Sequence, residues 1–131
     1  MKVTRFNPTG DLIFVSGRIW GRKGQLASLR LVLDTGSSES IIAPEVLDQI
    51  GYTPREGEAM TVIRSAVGRE TGYLIRVARF ASLGFEASDF LVHAHDLPEG
   101  YGIDGLIGLS FLRQFNYEVR SREGRLLVAR I

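Results

Sequence analysis

Apolar residues in this chain fall mainly in short runs, many of them alternating with polar positions, and glycines punctuate the runs. A period of two is the strand signature, and few stretches keep the three-to-four spacing of an amphipathic helix. Leu12–Val15 and Gln25–Leu31 flank the turn residues Gly21-Arg22-Lys23-Gly24 and predict a hairpin. In its second arm Ala27, Leu29, Leu31 and Leu33 share one face, and Leu26 and Ser28 the other. From Leu31 to Leu33 the run is apolar on both faces, as expected where a strand passes into the core. Pro44–Ile50 reads as a short helix, opened by proline and stopped by Gly51. Thr61–Arg64 and Thr71–Val77 make a second hairpin around residues 65–69, and Phe85–Val92 a further strand before a Pro/Gly-containing loop. Leu106-Ile107 precede a short helix at 109–114, and a final strand pair over 116–131 turns at Glu123-Gly124. The pattern predicts an all-β chain with one or two short helices.

Composition narrows the picture without changing it. The 131 residues fit one domain, 1–131, large enough to bury a core and too short for a second lobe. Hydrophobic residues are 44% of the chain, a globular value. The formal charge of +1 asks for neither nucleic acid nor an acidic surface as partner. Arginines near the end (Arg113, Arg120, Arg122, Arg125, Arg130) read as a solvated face. There is no cysteine, which removes disulfides, thiol nucleophiles and cysteine metal sites and fits a cytoplasmic location. Residues 1–8 lack the apolar core of a signal peptide, and no run approaches membrane-spanning length, so no membrane partner is expected.

Chemistry concentrates at Asp34-Thr35-Gly36-Ser37. A strand apolar on both faces delivers this carboxylate into apolar surroundings, where its ionisation responds to desolvation and to any second carboxylate. The element occurs once. About seventy residues later comes Asp104-Gly105-Leu106-Ile107-Gly108-Leu109, whose glycines suit a strand crossing close behind another backbone. Laid against Leu31–Leu33, it would brace the loop that carries Asp34. Together, hydrophobic-hydrophobic-Asp-Thr-Gly-Ser and the later Asp-Gly-hydrophobic-hydrophobic-Gly resemble the aspartic peptidases, and a single copy in this length resembles the retropepsin-like, single-lobed branch and its bacterial relatives. The resemblance spans roughly residues 12–131 and is most specific at 31–38 and 104–112.

The resemblance implies a single-lobe acid-protease β-barrel, closed or partly open, that works as a homodimer on a peptide or protein substrate with no cofactor and no metal. Asp34 from each chain would form the catalytic pair, one ionised to activate water and one protonated to donate to the scissile carbonyl. It implies that Thr35 bonds across the twofold, unless it is a satisfied turn threonine, and that Gly36 admits the substrate backbone. Ser37 either bonds the outer oxygen of Asp34 or is simply a small turn residue. Ser38 and Glu39 occupy positions that often line the cleft. Glu39 departs from the acidic pattern of the retroviral enzymes, and Leu109 stands where some of them carry arginine. Ser65, Ala66, Val67 and Gly68 would form the flap over substrate, a plain β-hairpin being the alternative. Leu106 would line a pocket beside the scissile bond, with Asp104 tying down its own glycine turn.

His93 and His95 lie on one face of a strand and read as an exposed edge, since no third metal ligand is in view. Trp20 and Leu126–Val128 are core or interface material, and Arg125–Ile131 is a candidate for an intersubunit sheet. Two rivals stand beside the enzyme. One is a catalytically silent peptide-binding or dimerisation module, which has no need of an acid at Asp34. The other is a pepsin-like lobe within a longer protein, disfavoured by Met1 and the missing second lobe.

Overall fold

The structure, a computed structural model, describes residues 1–65, 68–98 and 100–131, with the side chains of residues 61–71 outside that description. Its strands are β1 (Lys2–Arg5), β2 (Phe14–Trp20), β3 (Leu26–Leu33), β4 (Ile41–Ile42), β5 (Ala59–Ser65), β6 (Gly68–Ser82), β7 (Phe85–Ala94), β8 (Gly105–Ile107), β9 (Phe115–Arg120) and β10 (Arg125–Arg130). The helices among the described residues are short: α1 (Pro44–Gln49), a 3-10 turn at Pro54–Glu56 and α2 (Leu109–Leu112). Pro44 opens α1 and Gly51, at φ 92°, follows its end, as the sequence predicts.

Alternation along β2 and β3 places Val15, Gly17, Ile19, Leu29 and Leu31 inward and Ser16, Arg18, Ser28 and Arg30 outward. The strands close a barrel in the order β2-β3-β8-β4-β7-β6 and back to β2. Closure pairs each of these strands on both sides over at least part of its length. β6 is long enough to serve two neighbours along one edge. Its first half pairs with β5 and its last four residues with β2, Gly17 facing Ser82 and Trp20 facing Arg79. Side chains seal the stretch between them. Tyr52 accepts the Ala78 N–H at 2.7 Å and donates to Trp20 O at 2.9 Å, while Arg22 donates to Arg76 O at 3.1 Å. The barrel interior holds Phe80, Phe90 and Phe111 in mutual ring contact among Ile19, Leu31, Ile75, Val92 and Ile107.

A separate sheet, β1-β10-β9, packs Leu126 and Val128 into the same core. Both edges of β10 are therefore paired within the chain, to β1 and to β9. This corrects the expectation that Arg125–Ile131 interleaves with a partner: its ladder positions are already taken, and only β1 and β9 present outer edges in this sheet. The sequence pattern does not announce β1. Nor does it announce the hairpin turn at Leu83-Gly84, with φ of 58° and 85°, which joins β6 to β7.

Candidate active site

β3 ends at Leu33 and hands the chain to the Asp34 turn. The turn is fixed from behind by β8, which runs parallel to β3 with Leu31, Val32 and Leu33 opposite Gly105, Leu106 and Ile107. The Asp34 N–H continues that ladder to Ile107 O at 2.8 Å. Asp34 is half-buried, and its Oδ1 accepts the Gly36 N–H at 3.0 Å. That hydrogen bond fixes the direction of the side chain. Thr35 and Gly36 are exposed at the tip, and Ser38 is exposed beyond them. The Ser37 hydroxyl donates to Glu39 O at 2.8 Å, so it acts within the turn and does not bond the outer oxygen of Asp34.

The loop then passes over the start of α2. Leu109 and Ser110 donate their N–H groups to Ser37 O and Ser38 O at 2.8 and 3.0 Å. Gly108 is the point of closest approach: a Cβ there would stand 2.7 Å from Ser37 O and nearer still to Glu39 O. Gly105 plays the same part against β4, where a Cβ would lie 2.9 Å from the Ile42 side chain. The bracing strand expected from the two glycines is thus present, and the glycines are what admit it. Asp104 serves that brace. Its Oδ2 accepts the Arg30 N–H at 2.8 Å, and its own N–H and C=O bond Arg30 and Ala43. One contributor carries no local signal in the sequence. Ser40, 1% exposed, accepts the Gly108 N–H at 3.1 Å and shares a 2.9 Å hydrogen bond with the Ser110 hydroxyl.

Leu106 is partly exposed on β8, between Val32 of β3 and Ile41 of β4. Ser65 and Gly68 face each other where β5 meets β6, and Ala66 and Val67 lie outside the described residues. The expectation for the histidines needs correction. His95 is buried, 2% exposed, because β7 is an interior strand between β4 and β6 and not an edge. His93 sits above it with rings 6.2 Å apart, and its Nε2 lies 3.3 Å from Glu39 Oε2. Among the described residues no group of three or more His, Asp or Glu side chains is arranged to hold a metal ion. No helix among them is long and apolar enough to cross a membrane. Burial is the main reason the Tyr73 phenol is pushed above 10.0, with Asp48 and Glu56 adding to it.

This arrangement has counterparts among known proteins. A family model described as aspartyl protease matches residues 15–111. No curated protein matches the chain by sequence. Among solved structures, the retropepsin-like aspartic protease from Rickettsia conorii is similar over 97% of this chain and 96% of its own, with a TM-score of 0.69 and 16% identity. At that identity the likeness is one of fold. It covers the barrel, the short helices and the single-lobe organisation expected from the sequence.

Proposed function

Because the chain belongs to the aspartyl protease family and has the fold of a single retropepsin-like lobe, we propose that it is an aspartic endopeptidase completed by a second copy of itself. The observation that carries the reading is Asp34: one half-buried acid at the end of a core strand, aimed by the Gly36 N–H, in a lobe whose motif occurs once. Two such acids related by a twofold would share one proton, since ionising the first opposes ionising the second. The charged member takes a proton from water as that water attacks the peptide carbon. The protonated member gives its proton to the carbonyl oxygen, and collapse of the tetrahedral intermediate expels the amine. No covalent enzyme intermediate is needed.

Thr35 and Gly36, exposed at the tip, are the residues we assign to the twofold contact and to the substrate backbone. Ser38 and Leu106 are assigned to cleft walls, and the β5–β6 hairpin, in which Ser65 faces Gly68, to the flap. Ser37 holds the turn through Glu39. A twofold contact is isologous, so one patch meets its own copy. Exposed Met1 and Val3 at β1, and Ile131 just after β10, are apolar surface of the kind such a contact covers. Residues 1–131 act on this reading as one lobe of the dimer, on a peptide or protein substrate, and the lack of cysteine fits work in the cytoplasm.

The test is cleavage of a peptide library by the wild-type chain and by Asp34→Asn, with sedimentation of the same samples. The expected result is a dimer whose activity is inhibited by pepstatin-class compounds and is lost in the asparagine variant. Equal cleavage by both chains, or cleavage by a strict monomer, would sink the shared-dyad reading. A folded dimer that cleaves nothing would favour a silent binding module.

A further inference from the structure

The catalytic turn is held on its far side by a contact that the proposed chemistry does not use. Glu39 ends the turn, and its carboxylate lies 3.3 Å from His93 Nε2 on β7. The backbone is tied at the same place: the His93 N–H donates to Ser40 O at 3.0 Å, and Ile41 pairs with His93 in parallel register. Ser37 is drawn in through its hydroxyl on Glu39 O. Below His93 lies His95, with its ring packed on Gly72 of β6. A Cβ at Gly72 would come within 2.6 Å of His95 Cε1. The contacts thus run from the Asp34 turn through Glu39, His93 and His95 to the β6 arm of the hairpin.

Among the described residues, the cation that shares a cavity with Glu39 is already engaged. Glu39 also borders a cavity of about 320 Å³ with Arg76 and Asp89, but Arg76 pairs with Glu58 at 2.9 Å and donates to Asp89 O at 3.2 Å. His93 is therefore the partner the geometry gives to Glu39. The contact is a formal ion pair only when the imidazole is protonated, but an Nε2–H donates to the carboxylate in either charged or suitably tautomeric neutral form.

We infer that His93 is a positioning residue: by docking Glu39 it pins the turn that carries Asp34 to β7, in register with the strand that leads to the hairpin tip. The inference rests on reading Asp34 as half of a catalytic pair. A side chain gripping the C-terminal end of the turn limits the excursions of Ser37 and Ser38, whose carbonyls receive the Leu109 and Ser110 amides. Releasing it lets those two bonds open more often, and only the closed turn presents Asp34 to a partner in the reacting geometry.

The test uses the full chain and the variants Glu39→Ala, Glu39→Gln, His93→Phe and Glu39→Ala with His93→Phe. Amide exchange at Leu109 and Ser110 is read beside steady-state cleavage. A partly exposed pair of this kind shifts an opening equilibrium by about two- to fivefold, so exchange at both amides should speed by that factor in Glu39→Ala and in His93→Phe, whose ring has no donor. The same variants should lose the same factor in kcat with KM unchanged, and the double variant should lose no more than the worse single. Glu39→Gln keeps an acceptor for Nε2–H and should recover part of the loss. Unchanged exchange at the two amides, or losses that simply add in the double variant, would overturn the inference. Cleavage by Asp34→Asn at the wild-type rate would instead remove the dyad reading, and the exchange data would still decide whether His93 holds the turn.

Discussion

A methyl group at position 108 is the sharpest probe of how the Asp34 turn is seated. Gly108 has φ −108° and ψ −168°, a conformation open to any residue, so Gly108→Ala adds bulk without backbone strain. The added Cβ would stand 2.7 Å from Ser37 O and closer to Glu39 O, both of them main-chain atoms that cannot swing aside. Restoring an ordinary contact of about 3.4 Å moves the turn or the start of α2 by about 1 Å, and overpacking of that kind costs about 1–3 kcal/mol. The lost freedom of glycine in the unfolded chain returns about 0.4–1 kcal/mol, leaving a net loss of about 1–2 kcal/mol. A displacement of about 1 Å at a reacting group costs about a hundredfold in rate, so kcat/KM should fall by about that factor. The assay is peptide cleavage at a temperature where urea unfolding shows the variant fully folded. Gly10→Ala is the control, because a Cβ there would meet Leu12 O at an ordinary 3.4 Å. If Gly108→Ala matched Gly10→Ala in both stability and rate, the claim that close passage behind the turn sets the acid would be wrong.

Two further predictions concern the barrel. Tyr52→Phe should leave the Ala78 N–H and the Trp20 carbonyl without the bonds the phenol supplies at the β2–β6 closure. Stranding a buried donor costs about 1–3 kcal/mol, so urea unfolding should show a loss of about 2 kcal/mol at unchanged slope, and an unaltered midpoint would refute the seal. Tyr73 titrates above 10.0 in the folded chain. Its stabilising contribution is whole below the unfolded-chain value and is lost as pH rises through the folded one, because the unfolded chain gives up the proton first. Tyr73→Phe should flatten the alkaline fall in stability that begins near pH 10 and remove the latest phase of tyrosinate absorbance; a variant with both curves unchanged would contradict the burial argument.

The Asp34 turn was legible in the sequence because its signals are local. Leu31–Leu33 is apolar on both faces, Asp-Thr-Gly-Ser follows at once, and Gly105 and Gly108 announce a close crossing by their residue type alone. What the sequence hid depends on distant partners or on unusual residues. Ser40 looks like a turn serine, since the groups that make it a buried hub, Ser110 and Gly108, come about seventy residues later. The β6–β7 turn is hidden because Leu83 adopts the left-handed conformation that a branched aliphatic side chain rarely enters. β1 is only four residues long with Val3 half exposed, too little pattern to read. The alternation of His93 and His95 gave their shared face correctly, but burial of His95 followed from β4 pairing outside β7, a two-residue strand with almost no signature of its own.

The parallel seat of β8 beside β3 also has a consequence in time. Gly105–Ile107 must find Leu31–Leu33 across some seventy intervening residues, a closure whose entropy is met before its contacts form. On a ribosome, which makes the N-terminal part first, Asp34 emerges long before the strand that fixes it. A nascent chain therefore carries the acid without its setting until synthesis has passed residue 107 and the long-range pairing has closed. On the proposed reading, order of synthesis adds to the need for a second copy in keeping an unfinished chain from acting on those around it.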